Sequence, residues 1–316
     1  MGDIVAGSIK ILTDLDPSGL KKNLSSLDKI ISTGFKAYSA ALAAVSTAII
    51  KVGKDSNAAF ATFEQMKGGV EKLFGDSADA LMSYANEAYA TAGMSANAYM
   101  DTVTSFSASL ITSLGGDTKK AVEYANAALK DMSDNANTFG TDMASVQNAY
   151  QGFAKQNFTM LDNLKLGYGG TKEEMQRLLS DAEKISGIKY DISSFADITQ
   201  AIHVMQEEMG IAGTTAKEAA KTIEGSANMT KAAWQNVLMA FSNSDADLGE
   251  YISKFAESFS TYLGNLLPAV DTFISRFDQE LFSGISHALT KIIGQLSSYI
   301  PAVFELGANV LNAIIP

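Results

Sequence analysis

"KQNFTMLDNLKLGYGGTKEEMQRLLSDAEKISG" occupies residues 155–187. Its centre, Gly167-Tyr168-Gly169-Gly170-Thr171-Lys172, raises two readings. A glycine-rich turn that opens a helix can cradle a phosphate on backbone N–H groups, as in a nucleotide-binding α/β enzyme. It can equally be the punctuation between two helices. The choice decides the fold class. A Walker A loop carries its lysine directly after a glycine and before Ser or Thr. Here the lysine follows Thr171 and precedes Glu173. "TMLDNLKLG" ahead of the turn reads as a short helix capped by Thr159, not as a strand. Glu173 and Glu174 fall in the first turn of the next helix, where carboxylates complement the helix dipole and repel a phosphate. Thr171 and Glu174 have capping-box spacing. Met175, Leu178, Leu179, Ala182 and Ile185 then form one apolar face. Gly167, Gly169 and Gly170 are expected to supply positive φ values for the reversal.

The same grammar repeats in both directions. Leu81, Tyr84, Ala85 and Ala88 share a helical face. Ser95 reads as the cap of a helix with Met100, Val103, Phe106 and Leu110 as its buried stripe, stopped by Gly115-Gly116. Asp117 begins a helix carrying Ala121, Tyr124, Ala128 and Met132, and Thr141 begins another with Val146, Tyr150 and Phe153. Ser194 and Asp197 form a capping pair before Phe195, Ile198, Ile202 and Met205. Gly225 reads as a separator. Beyond it Trp234, Leu238 and Phe241 recur at i, i+4 and i+7, with the tryptophan as a core anchor. From Asp247 long amphipathic helices follow. Ile252, Phe255, Phe259, Tyr262 and Leu266 line the first. Pro268 is expected to start a second, Ile285, Leu289, Ile292 and Leu296 mark a third, and Pro301 opens a fourth.

The N-terminal part differs. Ile9, Ile11, Thr13 and Leu15 alternate with more polar neighbours, the period of a short strand. Asp16 and Pro17 then open a helix with Leu20, Leu24, Leu27 and Ile31 on one face. Ala37–Ile50 carries no charge, but its fourteen residues fall short of the ~20 that a bilayer core requires. Its small side chains suit close helix packing or association between copies. Residues 292–316 hold one charge, Glu305, in 25 positions. Gln, Ser, Asn and Pro make them a weak span.

Composition agrees with an all-α fold, because the chain of 316 residues has only four prolines. The expected architecture is a multi-helix bundle or extended helical array with a short N-terminal β-strand. Three regions are expected: 1–54, the strand, helix and Ala-rich helix; 55–225, a helical core domain; and 226–316, amphipathic C-terminal helices that continue in a longer protein. A net charge of −11 argues against direct nucleic-acid binding, which needs concentrated Lys and Arg. With no cysteine, neither disulfides nor thiolate metal sites can form. His203 and His287 are far apart, and His203 falls on the polar, solvent-facing side of its helix. The pairs Glu173-Glu174 and Glu207-Glu208 are adjacent, so their side chains diverge on a helix and make no acid/base couple. No catalytic, cofactor-binding or metal-ligating residue is therefore assigned, and an enzyme is not expected.

Three long stretches carry a resemblance. They are "FEQMKGGVEKLFGDSADALMSYANEAYATAGMSANAYMDTVTSFSASLI" from Phe63, "DNANTFGTDMASVQNAYQGFAKQNFTMLDNLKLGYGGTKEEMQRLLSDAEKISG" from Asp134, and "TIEGSANMTKAAWQNVLMAFS" from Thr222. Together they span roughly residues 56–243, over half the chain. This text resembles phage tail tape measure proteins, and "SIKILTDLDPSGLKKNLSSLDKI" from Ser8 is similar to the strand-then-helix opening of that family. The resemblance implies a structural protein that lies extended in the tail tube of a long-tailed phage or prophage, sets tail length during assembly, leaves on infection and helps DNA cross the host envelope. It implies tail tube protein, tail tip and distal tail proteins and tail assembly chaperones as partners, with self-association. The implied locations are the virion tail, the host cytoplasm during assembly and the host inner membrane on ejection. Peptidase or muramidase domains occur in some relatives, but no such motif is present here. A second reading stays open: a membrane-active helical protein of toxin or pore-forming type, motivated by Ala37–Ile50 and the weakly charged tail.

Overall fold

The helical punctuation recurs in the structure, a computed structural model that describes residues 53–276. The chain divides into two compact units, Met1–Lys54 and Asp55–Pro316. The expected strand at 7–16, the helix after Asp16, the Ala37–Ile50 segment and the helices after Ile285 and Pro301 lie outside the described residues. Among the described residues there is no strand, and the fold is all-α.

Helix α1 covers residues 53–74 and leads through a 3-10 turn, Gly75–Ser77, into α2, Ala78–Thr91. Then follow α3 (Ala96–Ser113), α4 (Thr118–Phe139) and α5 (Met143–Phe153). A 3-10 turn, Leu161–Leu164, precedes α6 (Lys172–Ser186) and α7 (Phe195–Glu208). The short α8 (Thr214–Lys221), α9 (Ile223–Ser242) and the long α10 (Leu248–Arg276) complete the body.

Capping chemistry sets the starts. Ser95, Asp117, Thr171 and Ser194 each accept a hydrogen bond from the backbone N–H three residues on, as their spacing predicts. Helix α5 begins two residues after Thr141, with Asp142 as an N-cap that makes no side-chain bond. Gly140 and Gly187 end α4 and α6 in the left-handed conformation.

Helix α4 is the axis of the body. It packs against α2, α3, α5, α7 and α8. Its buried apolar side is small: Ala121, Val122, Ala125, Ala128, Leu129 and Met132. Alanines also face the core from α2 at Ala78, Ala85 and Ala88, so these helices approach closely. Larger side chains fill the flanks, with Tyr99, Met100, Leu110, Tyr150, Phe153, Leu161, Leu164 and Met175 fully enclosed. A smaller, separate cluster of Tyr89, Ala219, Met229, Ala232 and Ala233 lies under α8 and α9.

Several expectations are corrected. Gly225 is no separator: it sits in the first turn of α9, where a Cβ would lie 2.5 Å from the Glu218 carbonyl carbon. The buried side of α9 is Met229, Ala232, Ala233, Asn236, Val237 and Ala240. The Trp234 face is turned away from it, so Trp234 is half-buried against Phe255 of α10 and is no anchor of the main core. Tyr84 and Ile185 are exposed although their spacing put them on buried faces. Pro268 does not start a helix, because α10 runs through it. Proline is tolerated at the first helical turn, which is why the sequence reads as a start.

The loop 154–171 is also built differently than expected. Thr159 does not cap the 3-10 turn; Met160 occupies that position, and Thr159 instead donates its N–H and hydroxyl to Asn157 Oδ1. Positive φ occurs at Gln156, Lys165 and Gly167, not at Gly169 or Gly170. Gly170 serves close approach: a Cβ there would stand 2.3 Å from the Thr159 carbonyl oxygen. Substituting Gly170→Ala should therefore force two backbone segments apart and cost about 1–3 kcal/mol, the range for overpacking. Gly68→Ala, in the helical interior of α1 with nothing within 4 Å of its Cβ, should instead stabilise by about 0.5–1 kcal/mol. Opposite shifts of the urea midpoint in the two variants check the pair.

Candidate functional site

The opening glycine stretch holds no phosphate cradle in this structure. Glu174 fills the space in which an anion would sit. Its Oε2 accepts the Gly169 N–H at 3.0 Å, while Thr171 Oγ1 accepts the Glu174 N–H at 3.2 Å. The capping box is thus closed two residues upstream of its usual position, on Gly169 instead of Thr171. Arg177 completes the staple. It pairs with Glu174, donates to the Gly167 carbonyl at 2.8 Å and stacks over the Tyr168 ring, 4.3 Å from its centroid. Arg177 and the Gly169 N–H together hold the Glu174 carboxyl below its ordinary range. Tyr168 donates to Asp181 Oδ2 at 3.0 Å, and its phenol is raised to about 12, chiefly by burial. The N–H groups of Gly169 and Glu174 are thus engaged by side chains of the chain itself.

Sequence reasoning missed a second cluster. His203 is not a free solvent-facing residue. Its Nδ1 meets both carboxylate oxygens of Asp131, at 2.8 and 3.0 Å, and its Nε2 lies 3.3 Å from Glu207 Oε1. Asp131 is almost fully enclosed, at 3% side-chain exposure, against 31% for His203. The polar side of α7 is therefore covered by α4. Nothing local announces this, since Asp131 precedes His203 by 72 residues. A weak signal lies in α4 itself, whose last turns, Asp131-Met132-Ser133-Asp134-Asn135, are too polar for a helix buried on most sides.

Each of those polar groups reaches a different element. Ser133 donates to the Ala92 carbonyl at 2.7 Å, at the end of α2. Asp134 accepts the N–H groups of Gly213 and Thr215 and so caps the start of α8. Asn135 donates to the Leu164 carbonyl at 2.7 Å. One turn earlier, Asn126 accepts the Tyr99 hydroxyl at 3.0 Å. Burial raises the Tyr99 phenol far above its ordinary value, so it remains a donor.

A cleft of about 370 Å³ opens beside this cluster, lined by Glu123, Asn126, Lys130, Asp131, Asp134 and His203 among others. An Asp–His pair is two thirds of a nucleophile triad. The third place is taken here by Glu207, a carboxylate that shares the imidazole and offers no nucleophilic hydroxyl. Among the described residues no group of three or more His, Asp or Glu side chains is arranged to hold a metal ion. Glu207 faces the Asp131 carboxylate across the His203 imidazole that the two share. His287 lies outside the described residues. The arrangement performs linkage: charged and polar groups of α4 fasten α2, α3, α7, α8 and the 3-10 turn. Among the described residues no helix is long and apolar enough to cross a membrane. Comparison with family models, curated proteins and solved structures finds no match to this chain.

The Asp131–His203 pair ties stability to pH. The hydrogen bond to Asp131 raises the His203 pKa against the opposing effect of burial. Burial raises Asp131, against the pull of His203. Both groups thus hold a proton more tightly in the folded chain than in the unfolded one. For His203 the stabilisation is complete below the ordinary value of about 6.5 and is lost as pH rises through the raised value. Denaturant midpoints should fall from pH 6 upward to pH 9. His203→Asn, neutral throughout, should flatten that slope, and an unchanged slope would refute the linkage.

Proposed function

We propose that this chain is a structural component of a long phage tail, a tape measure protein. The single observation that carries this reading is the long resemblance in text over roughly residues 56–243. A helical body without strands among the described residues, and a polar cluster used for linkage, support it as features suited to assembly and not to turnover. In this reading the chain acts inside the tail tube of the virion, after assembly in the host cytoplasm. Its partners are tail tube protein, tail tip and distal tail proteins and tail assembly chaperones, and other copies of itself. On ejection it meets the host inner membrane and assists passage of the genome. The net charge of −11 opposes a direct grip on DNA.

A ruler acts through its extended length. At ~1.5 Å per helical residue, 316 residues span about 470 Å. The body over residues 53–276 is folded back on itself, so its measuring role would require it to open or would fall to other parts of the same protein. The test is an in-frame deletion of α6 and α7, residues 172–208, in the phage gene. Tails should shorten by about 55 Å if that segment is measured as helix. Tails of unchanged length in electron micrographs would exclude a ruler role for it.

A second reading, a membrane-active helical protein, rests on the uncharged Ala37–Ile50 and on the single charge in residues 292–316. It predicts dye release from liposomes by the purified chain together with normal tails after deletion.

A further inference from the structure

Helix α10 is attached to the body unlike any other long helix. Over Leu248–Ala269 the only fully buried residue is Ser258, whose hydroxyl donates to its own helix at the Lys254 carbonyl. No apolar side chain of that stretch is fully enclosed, whereas α3 and α4 each bury five or more. Tyr251 borders the main core and Phe255 borders the small cluster, both only half-buried. Trp234, Phe255, Phe259 and Tyr262 form a ladder of rings with centroids 5.3, 6.0 and 6.4 Å apart, along a seam that water reaches.

Helix α10 lies along α9 with Phe255 against Trp234, and the hydrogen bonds and ion pairs that tie it to other described elements are few. Tyr251 donates to Asn86 Oδ1 at 3.0 Å. Lys254 pairs with Glu87 of α2 and with Glu250 of its own helix, each at 2.8 Å, and lies 6.0 Å from the Tyr89 ring centroid. Asn265 Nδ2 reaches the Ala220 and Thr222 carbonyls and Ser226 Oγ. Groups that trade a protein partner for water lose little net free energy. The connection at 243–247 is a polar turn in which Asn243 accepts the Asp245 N–H and Asp247 accepts the Glu250 N–H, so α10 begins afresh after it.

We propose that α10 is a strap that lifts from α2 and α9 as a unit, pivoting at residues 243–247, while α2–α7 stay folded. Release would bare the aromatic seam and lengthen the body without breaching its main core. This does not rest on the tail reading and stands or falls separately from it.

Hydrogen–deuterium exchange on the full chain tests the strap. Amides of residues 252–267 should exchange at least about tenfold faster than those of α3 and α4, as expected for a sub-global opening. The paired variant Tyr251→Phe and Asn265→Ala should speed exchange in α10 further and leave α3 and α4 unchanged. Because the chain has no cysteine, Glu87→Cys with Lys254→Cys can be joined by a short bis-maleimide, which should slow α10 to the rate of α9. Exchange of α10 in step with α3 and α4, or an α10 rate indifferent to the cross-link, would overturn the proposal. The tyrosine and asparagine variant keeps the test decisive if the cysteine pair does not fold.

Discussion

The body depends on one constraint: α4 is surrounded, and part of what it buries is polar. A helix in that position could have been apolar throughout. Instead Asn126, Asp131, Ser133, Asp134 and Asn135 each find a specific partner on another element. Unpaired, such groups would cost several kcal/mol each. Paired, they leave α4 few alternative registers, since sliding it by one residue would strand all of them together. Apolar side chains, small along α2 and α4 and large on α3, form the shared core, and the polar set selects one arrangement of it.

Local grammar was legible in the sequence. Caps at Ser95, Asp117, Thr171 and Ser194 lie within four residues of what they bond, so spacing alone identifies them. The stripe Met100, Val103, Phe106 and Leu110 needs only helical period, and it is buried as read. What failed was long-range. The covering of His203 depends on an aspartate 72 positions earlier, and the orientation of α9 depends on which side α8 and α10 take. A helix with apolar residues on two sides, Trp234 on one and Met229–Ala233–Val237 on the other, has no single stripe to read. Pro268 misled as well, because proline suits a helix start and its local preference does not reveal a helix already running through it.

The glycine stretch shows how much one carboxylate can decide. With Glu174 at the third position of α6, the Gly169 N–H is answered from within, and a guanidinium closes over the result. The polar cluster at His203 teaches the parallel lesson, for its second nitrogen faces a glutamate where a hydroxyl would make chemistry conceivable. At both places the chain's own acids occupy the positions that a ligand or a nucleophile would take.

The alanines along α2 and α4 have a consequence for how this chain can drift. Ala85, Ala88, Ala121, Ala125 and Ala128 are at most 1% exposed. Positions filled by leucine or methionine in the flanks can exchange one bulky residue for another of like volume. The alanine positions cannot, because any larger side chain separates two helix backbones along their whole length. Variation in descendants of this sequence is therefore expected to gather around the large core residues and to spare the smallest ones, the reverse of what residue size alone would suggest.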